Sequence, residues 1–248
     1  MKFNQRLLEG TFLKRYKRFF ADIEHQGQVI TAHTPNSGSM KGCNTPHSAC
    51  RFYDHGKTDR KLRYTLEMIK TPTSWVGVNT MRPNALMFEA WQNQLLKDWK
   101  GFDRAQREVK ISDKSRIDLV LWKSRDHQEE KLLKPDFKKL NGPFHFVEIK
   151  NVSMAEGNLA LFPDSVTERG QKHLKELMTL QKMGHSTEIL FVVQREDCQS
   201  FSPADDIDPE YGKLLRQAKE TGVRLSCYTC KLSPTAIEIT PKKLKIVF

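Results

Sequence analysis

An acid and a base stand two positions apart at the end of an apolar stretch: they are Glu148 and Lys150. Apolar and polar side chains alternate over residues 144–150, a pattern that predicts a β-strand. Because residues i and i+2 of a strand face the same side, Glu148 and Lys150 project together, whereas Val147 and Ile149 face a core. A carboxylate and an ammonium group on one rigid surface can hold a divalent cation with a water or a phosphate beside it. The stretch therefore indicates one half of a metal-dependent site for phosphate chemistry.

Such a site needs a second carboxylate, because Mg²⁺ prefers several oxygen ligands. Asp136 follows Pro135, and together with Glu148 and Lys150 it spells the PD…ExK pattern of restriction-type nucleases, but it lies in a lysine-rich polar segment. We favour Asp118, because it lies in a clear strand pattern where an acid among apolar residues needs compensation. A salt bridge such as Asp118 with Lys150 explains the same residues, and the short pattern alone favours that alternative.

Further candidates lie on two predicted helices. Glu89 sits close to the apolar face of a helix over residues 83–96, either as a third acid near the metal or as an ordinary flanking residue. Arg169, Lys172 and His173 fall in the first turns of the other helix, whose N-terminal end favours an anion. They predict a phosphate contact, with a solvated basic face and a packed His173 as the alternative.

The net charge of +11 is concentrated in the first third of the chain. Residues 1–80 contain 13 Lys and Arg against 6 Asp and Glu, whereas the remaining residues contain 28 against 24. A basic module beside a nearly balanced one is typical of a protein that binds a polyanion. A merely basic surface would give the same totals, so charge alone does not establish binding.

One run within that basic third has the composition of a nucleic-acid surface. Alternating basic and aromatic side chains on a strand suit phosphate contacts with base stacking, and an ordinary strand with core aromatics explains them equally well. Arg195, at the end of a later predicted strand, is either a further contact in the same cleft or half of a surface pair. The run consists of Lys14, Arg15, Tyr16, Lys17 and Arg18, followed by two phenylalanines.

The composition predicts a globular protein that stays out of membranes. With 248 residues, of which 38% are hydrophobic, the chain is long enough for one large or two ordinary domains. Its apolar runs are too short to cross a bilayer, and the first residues lack the apolar core of a signal peptide. The odd count of five cysteines favours reduced thiols. We therefore expect a cytoplasmic protein.

Two domains are predicted, with a boundary near residue 80. Residues 1–80 contain only strand patterns separated by turn residues, which suits a small β-barrel of the OB type. Residues 81–248 alternate strands with helices, which indicates an α/β domain with a mixed sheet, interrupted by a polar insertion at 123–142. The predicted strands are 11–23, 28–33, 49–55, 63–69, 75–78, 105–111, 115–122, 144–150, 188–194, 223–228 and 236–239, and the predicted helices are 83–96, one from Ser165 onward, and 208–221.

Seven segments spread over the chain are similar to those of a known family. They are residues 16–19, 35–40, 115–118, 147–152, 162–164, 169–174 and 193–195. On these segments the chain resembles the sugar fermentation stimulation protein A family. The resemblance implies an N-terminal OB-like β-barrel followed by a restriction-endonuclease-like (PD-(D/E)xK) mixed-sheet α/β domain. It also implies DNA binding without strong sequence preference and a regulatory link to maltose metabolism.

The resemblance also assigns the site. It places the carboxylates at Asp118 and Glu148 with Lys150 beside them, and it makes Glu89 the helix acid of such nuclease folds. At position 47 the chain has His where the family pattern leads us to expect Gly. We expect a DNA-binding protein with a phosphodiesterase site that uses Mg²⁺ or Mn²⁺, with RNA as the alternative substrate. The competing hypothesis is a DNA-binding regulator that keeps the fold without turnover.

Overall fold

The computed structural model describes residues 1–56, 59–112, 115–128, 131–132, 137 and 143–248. The strands are β1 (Leu8–Tyr16), β2 (Phe20–His25), β3 (Gln28–His33), β4 (Ser48–Asp54), β5 (Tyr64–Lys70), β6 (Trp75–Gly77), β7 (Arg104–Ser112), β8 (Ser115–Trp122), β9 (His145–Val152), β10 (Ala155–Glu156), β11 (Leu159–Phe162), β12 (Ser186–Val193), β13 (Ser200–Pro203), β14 (Arg224–Leu232), β15 (Ile237–Lys243) and β16 (Lys245–Ile246). The helices are α1 (Arg82–Gln92), α2 (Glu168–Lys182) and α3 (Pro209–Glu220), with a 3₁₀ turn at Lys97–Trp99. None of the described helices is both long and apolar enough to cross a membrane.

The first five strands close into a barrel. The order is β3-β2-β1-β4-β5, and β3 pairs in parallel with β5, which leaves β6 attached to the outside of β5. Closure removes the exposed strand edges that invite aggregation. The inward residues, among them Phe12, Ile23, Phe52 and Leu66, are fully buried in one core. The small barrel predicted from short strands and turn residues is confirmed.

The basic run from Lys14 onward does not form one strand. The predicted strand over residues 11–23 is wrong, because β1 and β2 pair as a hairpin in which Tyr16 lies opposite Phe20. Lys17 (φ 46°) and Arg18 (φ 64°) form its turn in the left-handed region, which residues other than Gly, Asn and Asp seldom occupy. Lys17 and Arg18 are therefore presented by a turn, whereas Lys14 and Arg15 lie at the end of β1.

A mixed sheet forms the centre of the second half of the chain. Its order is β15-β14-β12-β9-β8-β7, with β9, β12 and β14 parallel and the outer strands antiparallel. One face packs on α1, and the other packs on α2, α3 and a small sheet of β10, β11, β13 and β16. The predicted mixed-sheet α/β arrangement is confirmed.

Helix α2 begins later than its sequence suggests. The predicted N-cap at Ser165 is wrong: Thr167 caps the helix, and its side-chain oxygen accepts a hydrogen bond from Gly170 N at 3.1 Å. Val166 consequently precedes the helix and is 65% exposed, although its spacing predicted a buried position. The remaining predicted seam, which includes His173 and Leu177, is buried.

Three further sequence predictions have different outcomes. Asp136 and most of the polar insertion lie outside the described residues. His47 adopts φ 64°, which accounts for the Gly expected at that position. The five cysteines are free and buried, and Cys227 and Cys230 belong to cores on opposite faces of the mixed sheet, so they do not form a metal-binding pair.

Gln194 joins the barrel to the mixed sheet. Its carbonyl accepts from Gly77 N at 2.7 Å, and its side-chain amide donates to Asn79 O (3.1 Å) and to Asn151 Oδ1 (2.6 Å). A Cβ at position 77 would lie 2.6 Å from Gln194 Oε1, so Gly77 permits this close approach. The contact fixes the end of the barrel against the strand that carries Glu148.

A buried ion pair sits under the opposite face of the mixed sheet. His145 Nε2 lies 2.8 Å from Glu188 Oε2, both side chains are 1% exposed, and Trp99 Nε1 donates to the same oxygen at 2.9 Å. Burial works to raise the pKa of Glu188, but the hydrogen bond and charge of His145 hold it below its ordinary value. The pair therefore stabilises the fold above the titration range of glutamate.

We predict that Glu188→Gln lowers the free energy of unfolding at pH 7 by about 1–3 kcal/mol, because a neutral amide accepts the buried hydrogen bonds of His145 and Trp99 more weakly than a carboxylate does. Urea unfolding would measure this as a lower midpoint. The difference from wild type should shrink as the pH falls through the lowered pKa of Glu188, since the wild-type carboxylate is then protonated. The exposed Glu238→Gln on β15 is the matched control, and an equal loss in both variants would contradict the prediction.

Candidate active site

Two carboxylates meet where β8 and β9 run side by side. Asp118 lies on β8 and Glu148 on the adjacent antiparallel strand. The ladder pairs Leu119 with Val147, and one further step in the same register sets Asp118 opposite Glu148. Opposed residues of a sheet present their side chains on one face. The structure thus brings together the two acids that the sequence separates by thirty positions.

Glu148 is held by a basic group from its own strand and by one from α2. Its Oε1 accepts from Lys150 Nζ at 2.7 Å and is hydrogen-bonded to His173 Nδ1. Arg169 Nε donates to His173 Nε2 at 3.5 Å. His173 Nδ1 also lies 3.1 Å from Lys150 Nζ, so Glu148, Lys150 and His173 form one hydrogen-bonded cluster. His173 therefore orients the carboxylate.

The second oxygen of Glu148 has a different environment. Oε2 is buried and has no hydrogen-bond partner among the described residues. Burial works to raise the pKa of Glu148, but Lys150 and His173 outweigh it and hold the pKa below its ordinary value. A buried carboxylate oxygen that is ionised yet unpaired is costly, and a cation at this position would satisfy it. This oxygen is the observation that fits a divalent metal.

Two hydrogen-bond donors hold the Asp118 carboxylate, but its charged form is disfavoured by its surroundings. Oδ2 accepts from Ile149 N at 2.8 Å, and Oδ1 accepts from Asn84 Nδ2 at 2.9 Å. Burial, together with the neighbouring charge of Glu148, nevertheless raises the pKa of Asp118 to about 6. A cation between the carboxylates would offset this repulsion. The described residues contain no group of three or more His, Cys, Asp or Glu placed as a metal cluster, so the two carboxylates are the protein's candidate ligands.

Two residues that the sequence did not single out also line this site. Asn84, in the first turn of α1, donates both to Asp118 and to Glu108 Oε1 (3.2 Å). Glu108 adopts φ 55° within β7, an unusual conformation for an acidic residue in a strand. Neither residue has a periodic or motif signal. Only the pairing of β7 with β8 brings Glu108 next to Asp118.

The carboxylates open into a cleft that both domains line. A cavity of about 1080 Å³ contains Asp118, Glu148 and Lys150, and the barrel loop contributes Ser37 to its wall. A second cavity of about 390 Å³ adjoins it and reaches Arg18 of the β1–β2 turn. The two share Ser37, Thr80, Asn151 and Arg169. We call the two cavities together the interdomain cleft.

Three residues predicted for the site lie elsewhere. Glu89 Oε2 forms an ion pair with the Met1 ammonium group at 2.6 Å and does not line the cleft, because it faces away from the site on α1. Lys172 Nζ lies 3.6 Å from Glu176 Oε1, one turn further along α2, and also lies outside the cleft. Arg195 is 4% exposed, paired with Asp197, and donates to a backbone carbonyl, so it supports the core.

The basic run divides in a similar way. Arg15 donates to three backbone carbonyls, of Arg18, Asn36 and Gly38, at 2.6–2.9 Å and so supports the barrel loops. Lys14 lies 3.6 Å from Asp22, which also accepts from the Tyr16 hydroxyl at 3.2 Å. A further small cavity includes Lys17 and Arg18 in its lining. Of the run, Arg18 alone reaches the interdomain cleft.

We predict that Asp118→Asn raises the free energy of unfolding at pH 8, by at most about 3 kcal/mol, because it removes a carboxylate whose pKa is raised to about 6. A raised folded-state pKa contributes stability below the unfolded pKa and loses it as the pH rises through 6. The gain should therefore disappear below about pH 4, where wild-type Asp118 is protonated in both states. Urea unfolding in metal-free buffer across this range measures it, and a gain independent of pH would show that the raised pKa is not its cause.

Comparison with known proteins identifies the relatives of this fold. Residues 13–78 match the family model described as the SfsA N-terminal OB domain, and residues 81–236 match the one described as the sugar fermentation stimulation protein RE domain. The chain is similar, over all of its length and 98% of the other chain, to a solved structure titled "The structure of Pyrococcus Furiosus SfsA in complex with Ca2+", with a TM-score of 0.83 and 25% identity. The predicted OB-like barrel and restriction-endonuclease-like domain are thereby confirmed.

Curated relatives agree over nearly the full length. Proteins named sugar fermentation stimulation protein homolog are 49% identical in Bdellovibrio bacteriovorus, covering 99% of both chains, and 45% identical in Geotalea uraniireducens, covering 95% of both. A third, from Geobacter sulfurreducens, is 43% identical over 95% of this chain and 94% of its own. The chain belongs to the sugar fermentation stimulation protein family.

Proposed function

We propose that the protein is a metal-dependent phosphodiesterase that binds and cleaves DNA. The observation that carries the proposal is the buried Oε2 of Glu148, which has no hydrogen-bond partner among the described residues and belongs to a carboxylate next to Asp118 and Lys150. This is the D…ExK arrangement of restriction-type nucleases, built on adjacent strands. The strongly basic first third of the chain supports a polyanionic substrate.

Asp118 and Glu148 are the residues that would hold Mg²⁺ or Mn²⁺. Both are hard oxygen donors, which Mg²⁺ and Ca²⁺ prefer. The Pyrococcus furiosus relative is described as a complex with Ca²⁺, a hard cation that takes the same kind of oxygen ligand as Mg²⁺. When bound, the metal would supply Lewis-acid activation of water and of the scissile phosphate.

The protein's own residues would position the substrate and the proton. Lys150 Nζ, 2.7 Å from Glu148 Oε1, would orient the attacking water and offset charge that develops on the phosphate. Arg169 lines the same cavity and would contact a phosphate oxygen. His173 holds Glu148, and Asn84 holds Asp118, so that neither carboxylate needs to reorganise during the reaction.

We predict that Mg²⁺-dependent nicking of supercoiled plasmid falls about 100-fold or more in both Asp118→Ala and Lys150→Ala, since losing one preorganised group at a reacting centre typically costs about 10²–10³ in rate. The rate of appearance of open-circular DNA is the measurement. Asp206→Ala and Lys242→Ala are matched controls, because both residues are exposed and lie outside the cleft. No cleavage of DNA or RNA by wild type with any divalent metal would refute the enzyme.

Metal binding has a test that does not depend on activity. Mg²⁺ or Mn²⁺ should raise the Tm of wild type, because an ion that binds the native state at about 100 times its Kd adds about 2.7 kcal/mol of stability. Glu148→Gln removes the unpaired carboxylate charge and should abolish most of this shift. Equal metal-induced shifts in wild type and Glu148→Gln, measured by differential scanning calorimetry, would place the ion elsewhere.

A regulator that binds DNA without turnover is the second candidate. It is favoured by the pairing of Glu148 Oε1, which already has two partners in the absence of metal, and by the sugar fermentation names of the relatives. Such a protein would bind DNA with an affinity that falls steeply with salt, because phosphate contacts release counterions. It would show no metal-dependent nicking, which separates it from the enzyme.

A further inference from the structure

The barrel side of the interdomain cleft is held to the second domain by hydrogen bonds. Asp164 of the second domain accepts from Met40 N at 2.9 Å, and its carbonyl accepts from Ser39 Oγ at 2.8 Å. A Cβ on Gly38 would come within 2.6 Å of the Asp164 carboxylate, so the barrel loop lies directly against it. The loop is therefore part of the site and does not move independently of it.

Arg15 fixes the position of Arg18 relative to this loop. Its guanidinium donates to the backbone of Arg18 on one side and to Asn36 and Gly38 on the other. The turn and the loop are thus tied together by one side chain. The exposed side chain of Arg18 has no ion-pair or hydrogen-bond partner of its own in the described part of the chain. It extends the cleft away from the carboxylates, with Arg169 between them.

Two exposed apolar side chains lie in the same cleft as Arg18 and Arg169. Met81 is 72% exposed in the cavity that contains the carboxylates, and Val166 is 65% exposed in the cavity that contains Arg18. Most large apolar residues of the described chain are buried, whereas these two are exposed in a cleft whose wall also contains partly buried rings such as Phe88 and Phe162. Apolar surface next to cations suits a ligand that offers both phosphates and bare base faces.

We propose that the interdomain cleft binds a single-stranded segment of nucleic acid, which passes from the carboxylates to the β1–β2 turn of the barrel. Arg169 and Arg18 contact successive phosphates, and Met81 and Val166 contact unstacked bases. In a duplex the base faces are stacked on one another, so these apolar side chains would have no partner there. The inference rests on the proposed function, because it names the form of the substrate that this site takes.

Equilibrium binding in EDTA tests the inference without cleavage. The probes are a fluorescein-labelled oligodeoxynucleotide of about 20 nucleotides, which exceeds the site size of one OB fold, and the duplex formed with its complement. Fluorescence anisotropy at fixed salt should give a Kd at least about 10-fold lower for the single strand, because only unstacked bases can contact Met81 and Val166. Equal affinities, or tighter binding of the duplex, would overturn the inference.

Amino-acid substitutions then test where the single-stranded nucleic acid lies on the protein. Arg18→Ala should weaken binding of the single strand about 5-fold or more and lower its salt slope by about 1, as expected for one lost phosphate contact. Arg6→Ala, at an exposed arginine that precedes β1 and lies outside the cleft, is the matched control and should leave both quantities unchanged. An Arg18→Ala protein with the wild-type urea midpoint and the wild-type affinity would exclude this path.

The apolar contacts have their own readout. Met81→Ser and Val166→Ser should weaken the single strand and leave the duplex unaffected, because only unpaired bases reach these positions. Loss of duplex affinity by the same factor would contradict the assignment. Single-strand preference without nicking by wild type would preserve this inference while removing the phosphodiesterase, whereas Mg²⁺-dependent nicking with no preference for the single strand would do the opposite.

Discussion

Buried side chains at the place where the barrel meets the mixed sheet form hydrogen bonds that cross from one domain to the other, so these bonds exist only when both domains are in place. Gln194 donates its amide hydrogens to Asn79 of the linker and Asn151 of β9. Glu67 of the barrel, fully buried, accepts from Asn79 and from Arg82 at the start of α1. Since leaving such donors and acceptors unpaired is expensive, these hydrogen bonds favour one arrangement of the two domains. The shape of the interdomain cleft therefore depends on these hydrogen bonds.

Two buried carboxylates on the mixed sheet, Glu188 and Glu148, differ in how completely their oxygens are paired. Glu188 is enclosed by His145 and Trp99, and its charge is compensated within the fold. Glu148 has equally close partners on one oxygen and none among the described residues on the other, with a second acid, Asp118, next to it. The charge of Glu188 is thus compensated within the fold, whereas Asp118 and Glu148 retain an electrostatic cost. A local loss of stability of this kind is typical of functional sites.

The sequence predicts those parts of the protein in which apolar and polar residues alternate regularly. Strand alternation places Glu148 and Lys150 on one face, and short strands with turn residues indicate the barrel. The hairpin turn at Lys17 and Arg18 is missed because it contains none of the Gly, Asn or Asp residues that mark such turns. Glu89 is misplaced because helical spacing gives a face but not the direction in which that face meets the sheet. Tertiary packing decides both.

The cysteines of this protein simplify its study in solution. All five thiols are buried, and burial raises the pKa of Cys43, Cys50 and Cys198 to about 12, so little thiolate is present at neutral pH. Maleimide dyes, which react with thiolates, should therefore leave the native residues unlabelled. A single cysteine introduced at the exposed Lys17 would carry a fluorophore beside the cleft without any change to the interior. The arrival of a ligand at the barrel wall then becomes visible in real time.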